Sequence, residues 1–157
     1  MKLKVIQTGK TTQDFVKSGW AIYEKRIKAL CSLELVTIEI PKKWATSEPS
    51  KQKAIESKLI EEQLKPGDFL IFLDEDGKQF SSRMFSSNLE KWAIQKNGTI
   101  CILIGGAYGF DDDLMKKADI KMSLSAFTFS HQLVRVILGE QLYRALCIQK
   151  GHPYHHD

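Results

Sequence analysis

The chain has 157 residues, 43% of them hydrophobic and 27% charged, with a formal net charge of +4. That is enough for one buried core and too evenly mixed for a disordered or fibrous protein. No apolar run reaches membrane length, and Cys31, Cys101 and Cys147 are scattered and odd in number, so a membrane span, a disulfide frame and a zinc site are all disfavoured.

Residues 3–8 alternate apolar and polar and predict a first strand; nothing before them resembles the apolar core of an export signal, so a cytoplasmic single domain over 1–157 is expected. Thr11 or Thr12 can cap a helix running to about Leu30, with Phe15, Trp20, Tyr23, Ile27 and Leu30 at helical spacing as its inward stripe. Residues 33–40 predict a second strand. The loop 41–49 carries Lys42-Lys43-Trp44, a pairing of cation and ring that suits RNA, although a solvated loop is the plainer reading. Residues 50–64 form an amphipathic helix with Ile55, Leu59 and Ile60 inward, ended by Lys65-Pro66-Gly67-Asp68.

Residues 69–73 are continuously apolar, as in a strand covered on both faces, and Asp74-Glu75-Asp76-Gly77-Lys78 reads as a tight polar turn. Ser81 or Ser82 starts a helix carrying Phe85, Leu89, Trp92 and Ile94, closed by Asn97-Gly98. Residues 99–104 are a second buried strand, running into Gly105-Gly106-Ala107-Tyr108-Gly109-Phe110. A short helix over 111–117 and a last strand over 120–124 follow. Ser130 is placed to cap a long final helix, and Gly151 with Pro153 stops it after Lys150. That helix is apolar around nearly its whole circumference except for two i,i+4 pairs, His131/Arg135 and Glu140/Arg144, on roughly opposite sides. Such a helix fits between two surfaces, one its own sheet and the other a partner subunit; a core helix with two surface ion pairs is the alternative.

Alternating strands and helices with apolar strands argue an α/β fold, a mostly parallel sheet with helices on both faces. Ligands in such sheets bind beyond the carboxyl ends of the strands. Three unusual loops leave those ends, after Leu73, at Gly105-Gly106 and at 124–129. The glycine loop lets backbone approach a ligand closely but lacks the order of a nicotinamide or triphosphate loop, and a plain tight turn also explains it. Asp74, Glu75 and Asp76 read as a solvated turn before a metal or ribose contact. Ser130 and His131 lack the nucleophile elbow of a hydrolase. The tail His152-Pro153-Tyr154-His155-His156 is no homopolymeric tag, and its proline suggests a rigid turn that aims Tyr154 and His155.

Taken together, the runs L-D-E-x-G-K near Leu73, I-G-G-x-x-G-F from Ile104, and L-S-x-x-T-F-x-H-x-L-V-R-V-x-L-x-E-Q-L-Y-R-A from Leu124, ending in H-P-Y-H, resemble the RlmH family. These are SPOUT-class methyltransferases of large ribosomal RNA, and the likeness runs nearly end to end. The resemblance implies a SPOUT fold with a C-terminal trefoil knot, which no periodicity foretells. It implies S-adenosyl-L-methionine (AdoMet) as cofactor, held by Leu73, Gly105, Leu124, Ser125, Ala126, Phe127, Thr128 and Phe129. It further implies a homodimer that methylates N3 of a pseudouridine in helix 69 of 23S rRNA on the assembled 70S ribosome, with no metal and no membrane. N3 carries a proton, so a base or a stabiliser of the anion is required. Arg144, Tyr154 and His155 are the candidates for positioning the base and its proton, with His131 and Glu140 in support. A ribosome-binding factor without catalysis and another nucleotide-binding α/β enzyme, such as an oxidoreductase, are the competing readings.

Overall fold

The computed structural model describes residues 1–96 and 98–155. Five strands, β1 (Lys2–Thr8), β2 (Ser32–Ile38), β3 (Phe69–Gln79), β4 (Ile100–Ile104) and β5 (Ile120–Ser123), form one sheet in the order β2-β1-β4-β3-β5. Every pairing is parallel. The helices are α1 (Asp14–Lys28), α2 (Pro49–Glu61), α3 (Ser82–Gln95), α4 (Asp112–Met115) and α5 (Leu133–Gln149), with a 3-10 turn at Lys42–Trp44.

A parallel sheet needs cover on both faces, and β4 is buried at each of its five positions. The period of two sends Leu3 and Val5 of β1 to one face and Ile6 to the other. The first face packs against Trp20 and Ile27 of α1, Phe85, Leu89 and Trp92 of α3, and Leu138, Leu142 and Leu146 of α5. The second packs against Ile60 of α2 and Leu114 of α4. Phe69 stacks on Trp92 with ring centroids 5.3 Å apart. On the first face α5 lies against both α1 and α3. It approaches α1 closely at Gly139, where a Cβ would meet the Trp20 ring at 3.1 Å.

The expected α/β class, parallel order and helix sequence hold, and several local readings change. Neither Thr11 nor Thr12 caps α1, which begins after Gln13. Thr11 Oγ1 instead accepts from Arg135, and the Thr12 N–H donates to Gln132. Phe15 is 61% exposed, so it does not belong to the inward stripe of α1, and Ile94 on α3 is 80% exposed. Residues 74–78 are not a turn ending the strand. β3 continues through them to Gln79, and its pairing with β5 shifts register between Leu73 and Lys78. That bulge lets one strand leave β5 and rejoin it. Ser130 Oγ accepts from the Leu133 N–H, but the helix proper starts after Gln132. Ser81 caps α3 as expected, accepting from the Met84 N–H. Gly151, at φ +63°, ends α5 as expected: its N–H donates to Ile148 and the His152 N–H to Cys147. Asn97 and His156, read above as part of a helix stop and of the tail, lie outside the described residues.

Candidate functional site

At the carboxyl rim of the sheet lies a cavity of about 800 Å³. It is lined by Leu73 and the acidic bulge of β3, by Gly105 and Gly106 after β4, and by Leu124 with the loop that follows β5. Strands β4, β3 and β5 are neighbours in the sheet, so the three loops, far apart in sequence, converge at one rim. Gly109, at φ +71°, folds the glycine loop back so that its N–H donates to the Gly106 carbonyl at 3.1 Å. Ser123 Oγ donates to the Ser125 carbonyl at 2.7 Å, and Ser125 Oγ accepts from the Phe127 N–H at 2.9 Å, which shapes the loop after β5.

Of the residues the resemblance nominates for the cofactor, Leu73, Gly105, Leu124, Ser125, Phe127, Thr128 and Phe129 line this cavity; Ala126 does not, and is exposed. Phe127 is 81% exposed at the mouth. Ile104, Met115, Lys121 and Val134, none of them nominated as site residues from the sequence, also line it. They are ordinary apolar or basic positions brought together by the folding of β4, α4, β5 and α5.

His131 lines the cavity from the turn before α5. Burial, and then the nearby Arg135 charge, hold its imidazole below the ordinary value, favouring the neutral ring. Arg135 itself is completely buried, and it does not form a wet seam with the His131 side chain as the i,i+4 spacing suggested. Its Nε donates to the His131 carbonyl at 3.0 Å, and Nη1 to Thr11 Oγ1 at 2.6 Å. Nη2 donates to the carbonyls of Thr8 and Gly9 at 2.7 and 3.0 Å.

The other nominated residues form a separate cluster. Arg144 Nε donates to Glu140 Oε1 at 2.9 Å and its Nη2 makes a second contact to the same oxygen. The Tyr154 hydroxyl donates to that oxygen at 3.2 Å, and Arg144 Nη1 lies 3.3 Å from His155 Nδ1. The Arg144 guanidinium sits 4.9 Å from the Tyr154 ring centre. Hydrogen bonding to Glu140 raises Arg144 above its ordinary value; burial, then hydrogen bonds to Tyr23 and Glu140, raise the Tyr154 phenol. Both protons are therefore firmly held. None of Glu140, Arg144, Tyr154 and His155 lines the cavity of its own chain. Val134 does, and Glu140 and Arg144 lie further along α5 by roughly 9 and 15 Å at 1.5 Å per residue.

The chain and its fold have known counterparts. A family model described as "Predicted SPOUT methyltransferase" matches residues 1–155. A protein of Cytophaga hutchinsonii named ribosomal RNA large subunit methyltransferase H is 43% identical over 156 residues, covering 99% of this chain and 100% of the relative. A protein of the same name from Christiangramia forsetii is 40% identical and covers 99% of both chains. Among solved structures, a probable methyltransferase from Bordetella pertussis superposes with a TM-score of 0.57 at 16% identity, over 92% of this chain and 94% of that one. A probable methylase family protein from Haemophilus influenzae gives 0.56 at 13%, over 99% and 70%. At those identities the structural matches speak to the fold alone.

Proposed function

The chain belongs to the SPOUT methyltransferase family, and from that premise we propose that it transfers a methyl group from AdoMet to large-subunit ribosomal RNA. The finer reading is methylation of N3 of a pseudouridine in helix 69 of 23S rRNA, in the cytoplasm, on the assembled 70S ribosome. The observation that carries the proposal is the convergence of Leu73, Gly105 and the loop after Leu124 on one cavity. The large-subunit rRNA assignment rests on the names of the two relatives; the pseudouridine, helix 69 and 70S detail rests on the sequence resemblance alone.

The residues present fit the cofactor. A cavity of about 800 Å³ is within the ordinary range for a small-molecule site. Glycine backbone on one side and Leu73, Ile104, Leu124 and Val134 around it offer an apolar slot edged with peptide donors and acceptors. When bound, AdoMet supplies an electrophilic methyl group, so the protein has little covalent work to do. Its task is to hold the nucleophile in place and manage one proton. Arg144, kept charged by Glu140, can stabilise negative charge developing on the uracil carbonyls. Tyr154 and His155, both held against the Arg144/Glu140 pair, orient the base, and either His155 or His131 can take the N3 proton. Among the described residues no group of His, Cys, Asp and Glu is arranged to hold a metal ion, and no helix is long and apolar enough to cross a membrane.

The separation along α5 supports a site shared in a homodimer, one subunit's Arg144/Tyr154/His155 cluster facing the other's cavity. Exposed apolar side chains on the adjoining helices α1 and α5 support the same reading: Phe15 and Ile22 are 61% and 52% exposed, and Leu133 is 37% exposed. The C-terminal trefoil knot belongs to this reading, on resemblance.

The first test is transfer of labelled methyl from AdoMet to unmodified 70S ribosomes, free 50S subunits and naked rRNA. Label in helix 69 from 70S alone is the expected result; AdoMet binding with no label in any of them overturns the substrate, and no AdoMet binding returns the chain to a ribosome-binding role. The shared site is tested by mixing Gly105→Arg chains with Tyr154→Phe/His155→Ala chains. Recovery of one of the two sites in each mixed dimer, about a quarter of all sites in an equal mixture that pairs at random, is expected, and no recovery overturns it.

A further inference from the structure

The most unusual buried group is Glu56. It lies in the middle of α2, is 5% exposed, and does not itself line the cavity. Its Oε1 accepts from Gln52 Nε2 at 2.9 Å, while Oε2 is fully buried with no hydrogen-bond partner among the described residues. A buried carboxylate oxygen with no donor is costly and calls for a reason. The carboxylate is pressed against Gly106: a Cβ there would fall 2.8 Å from Oε2 and 3.2 Å from Oε1. Gly106 lines the cavity. The carboxylate therefore sits directly against a cavity-lining residue that has no side chain.

We infer that Glu56 is a ligand-discriminating residue of the cofactor site, a buried negative charge behind Gly106 that favours a cationic ligand in the cavity over a neutral one. The inference rests on the cofactor reading above. AdoMet carries a sulfonium cation; the product left after methyl transfer, S-adenosylhomocysteine, is a neutral thioether at the same atom. A charge that attracts the first and not the second promotes loading of substrate and release of product. The cavity has other carboxylates, Asp74, Glu75, Asp76 and Asp112. Asp74 is half-buried, Glu75, Asp76 and Asp112 are solvent-exposed and screened by water and salt, and Lys121 and His131 line the same cavity. Glu56 is shielded from that screening, so its field reaches the cavity with less loss. Burial raises its carboxyl above the ordinary value, and the Gln52 hydrogen bond opposes that shift. A cation across Gly106 would likewise favour the ionised form.

The test is calorimetric affinity for AdoMet and for S-adenosylhomocysteine in the parent, Glu56→Gln, Glu56→Ala and Glu56→Asp chains, with thermal unfolding of each without ligand. Glu56→Gln keeps the shape and a partner for Gln52 while removing the charge. The expected result is a threefold to tenfold weakening of AdoMet, roughly what one charge at this remove supplies, with S-adenosylhomocysteine changed less than twofold. Glu56→Ala shows the same loss of preference if Glu56→Gln does not fold, and Glu56→Asp, which keeps the charge, retains the parent's preference. Equal weakening of both ligands would reduce Glu56 to a packing residue, and unchanged affinity for both would also overturn the inference. A parent chain that binds neither ligand overturns the cofactor reading itself.

Discussion

Arg135 Nη2 lies 2.7 Å from the carbonyl oxygen of Thr8, tying the start of the last helix to the end of the first strand. The guanidinium is wholly buried and faces carbonyls and a hydroxyl, with no carboxylate among its hydrogen-bond partners. Replacing it with Met would leave the carbonyls of Thr8 and Gly9 without their donor. We expect a loss of roughly 3 kcal/mol in urea unfolding, as for other buried charged hydrogen-bonding groups. Because His131, whose carbonyl this anchor holds, and the adjacent Val134 line the cavity, AdoMet affinity should fall as well.

Gly77 sits in the β3 bulge, where a Cβ would lie 2.6 Å from the backbone of Met122. Backbone cannot swing aside as a side chain can. Gly77→Ala should push β3 off β5, costing roughly 2–3 kcal/mol. Chemical denaturation measures that loss, and the displaced Asp74–Asp76 wall should weaken ligand binding in parallel.

Arg144→Ala tests the proposed chemistry apart from binding. On the shared-site reading the cluster meets the substrate base and not the cofactor, so AdoMet affinity should change little. The rate of methyl transfer should drop about 10²-fold or more, the usual loss for a donor aimed at developing charge. Single-turnover kinetics with saturating cofactor separates the two. A parallel loss of affinity would place Arg144 in cofactor binding instead.

Burial, with the Asp68 carboxylate whose Oδ2 accepts from its sulfur at 3.4 Å, pushes the Cys101 thiol up to about 12 from 9.0. The unfolded chain releases this proton near its ordinary value while the folded chain keeps it. The contribution of Cys101 is thus complete below about pH 9 and is lost as pH rises toward about 12. The parent should lose stability over that window by up to roughly 1.4 kcal/mol per pH unit more than Cys101→Ala does. Denaturation series at neutral and alkaline pH for both chains check this, and alkylation of Cys101 in the folded chain should be slow at neutral pH.

Local chemistry determined much of this protein from the sequence alone. Continuous apolar runs marked β4 and the first half of β3 as covered strands, because burial on both faces leaves no room for polar alternation. Ser81 and Gly151 marked helix ends, because orphaned N–H and carbonyl groups need nearby partners. The long run from Leu124 carried the family, and with it the candidate residues. Only the tertiary structure decided what depends on several segments meeting. Residues 74–78 have the composition of a turn, yet pairing with β5 on both sides of the bulge keeps them in a strand. Arg135 and His131 have the spacing of a surface pair, yet the β1–α1 loop closes over the arginine and makes it a buried anchor. Glu56 looks like one more charge on a polar helix. Its burial under Gly106, 50 residues later in the chain, follows from the packing of α2 beneath the end of β4, a long-range contact that no local pattern encodes.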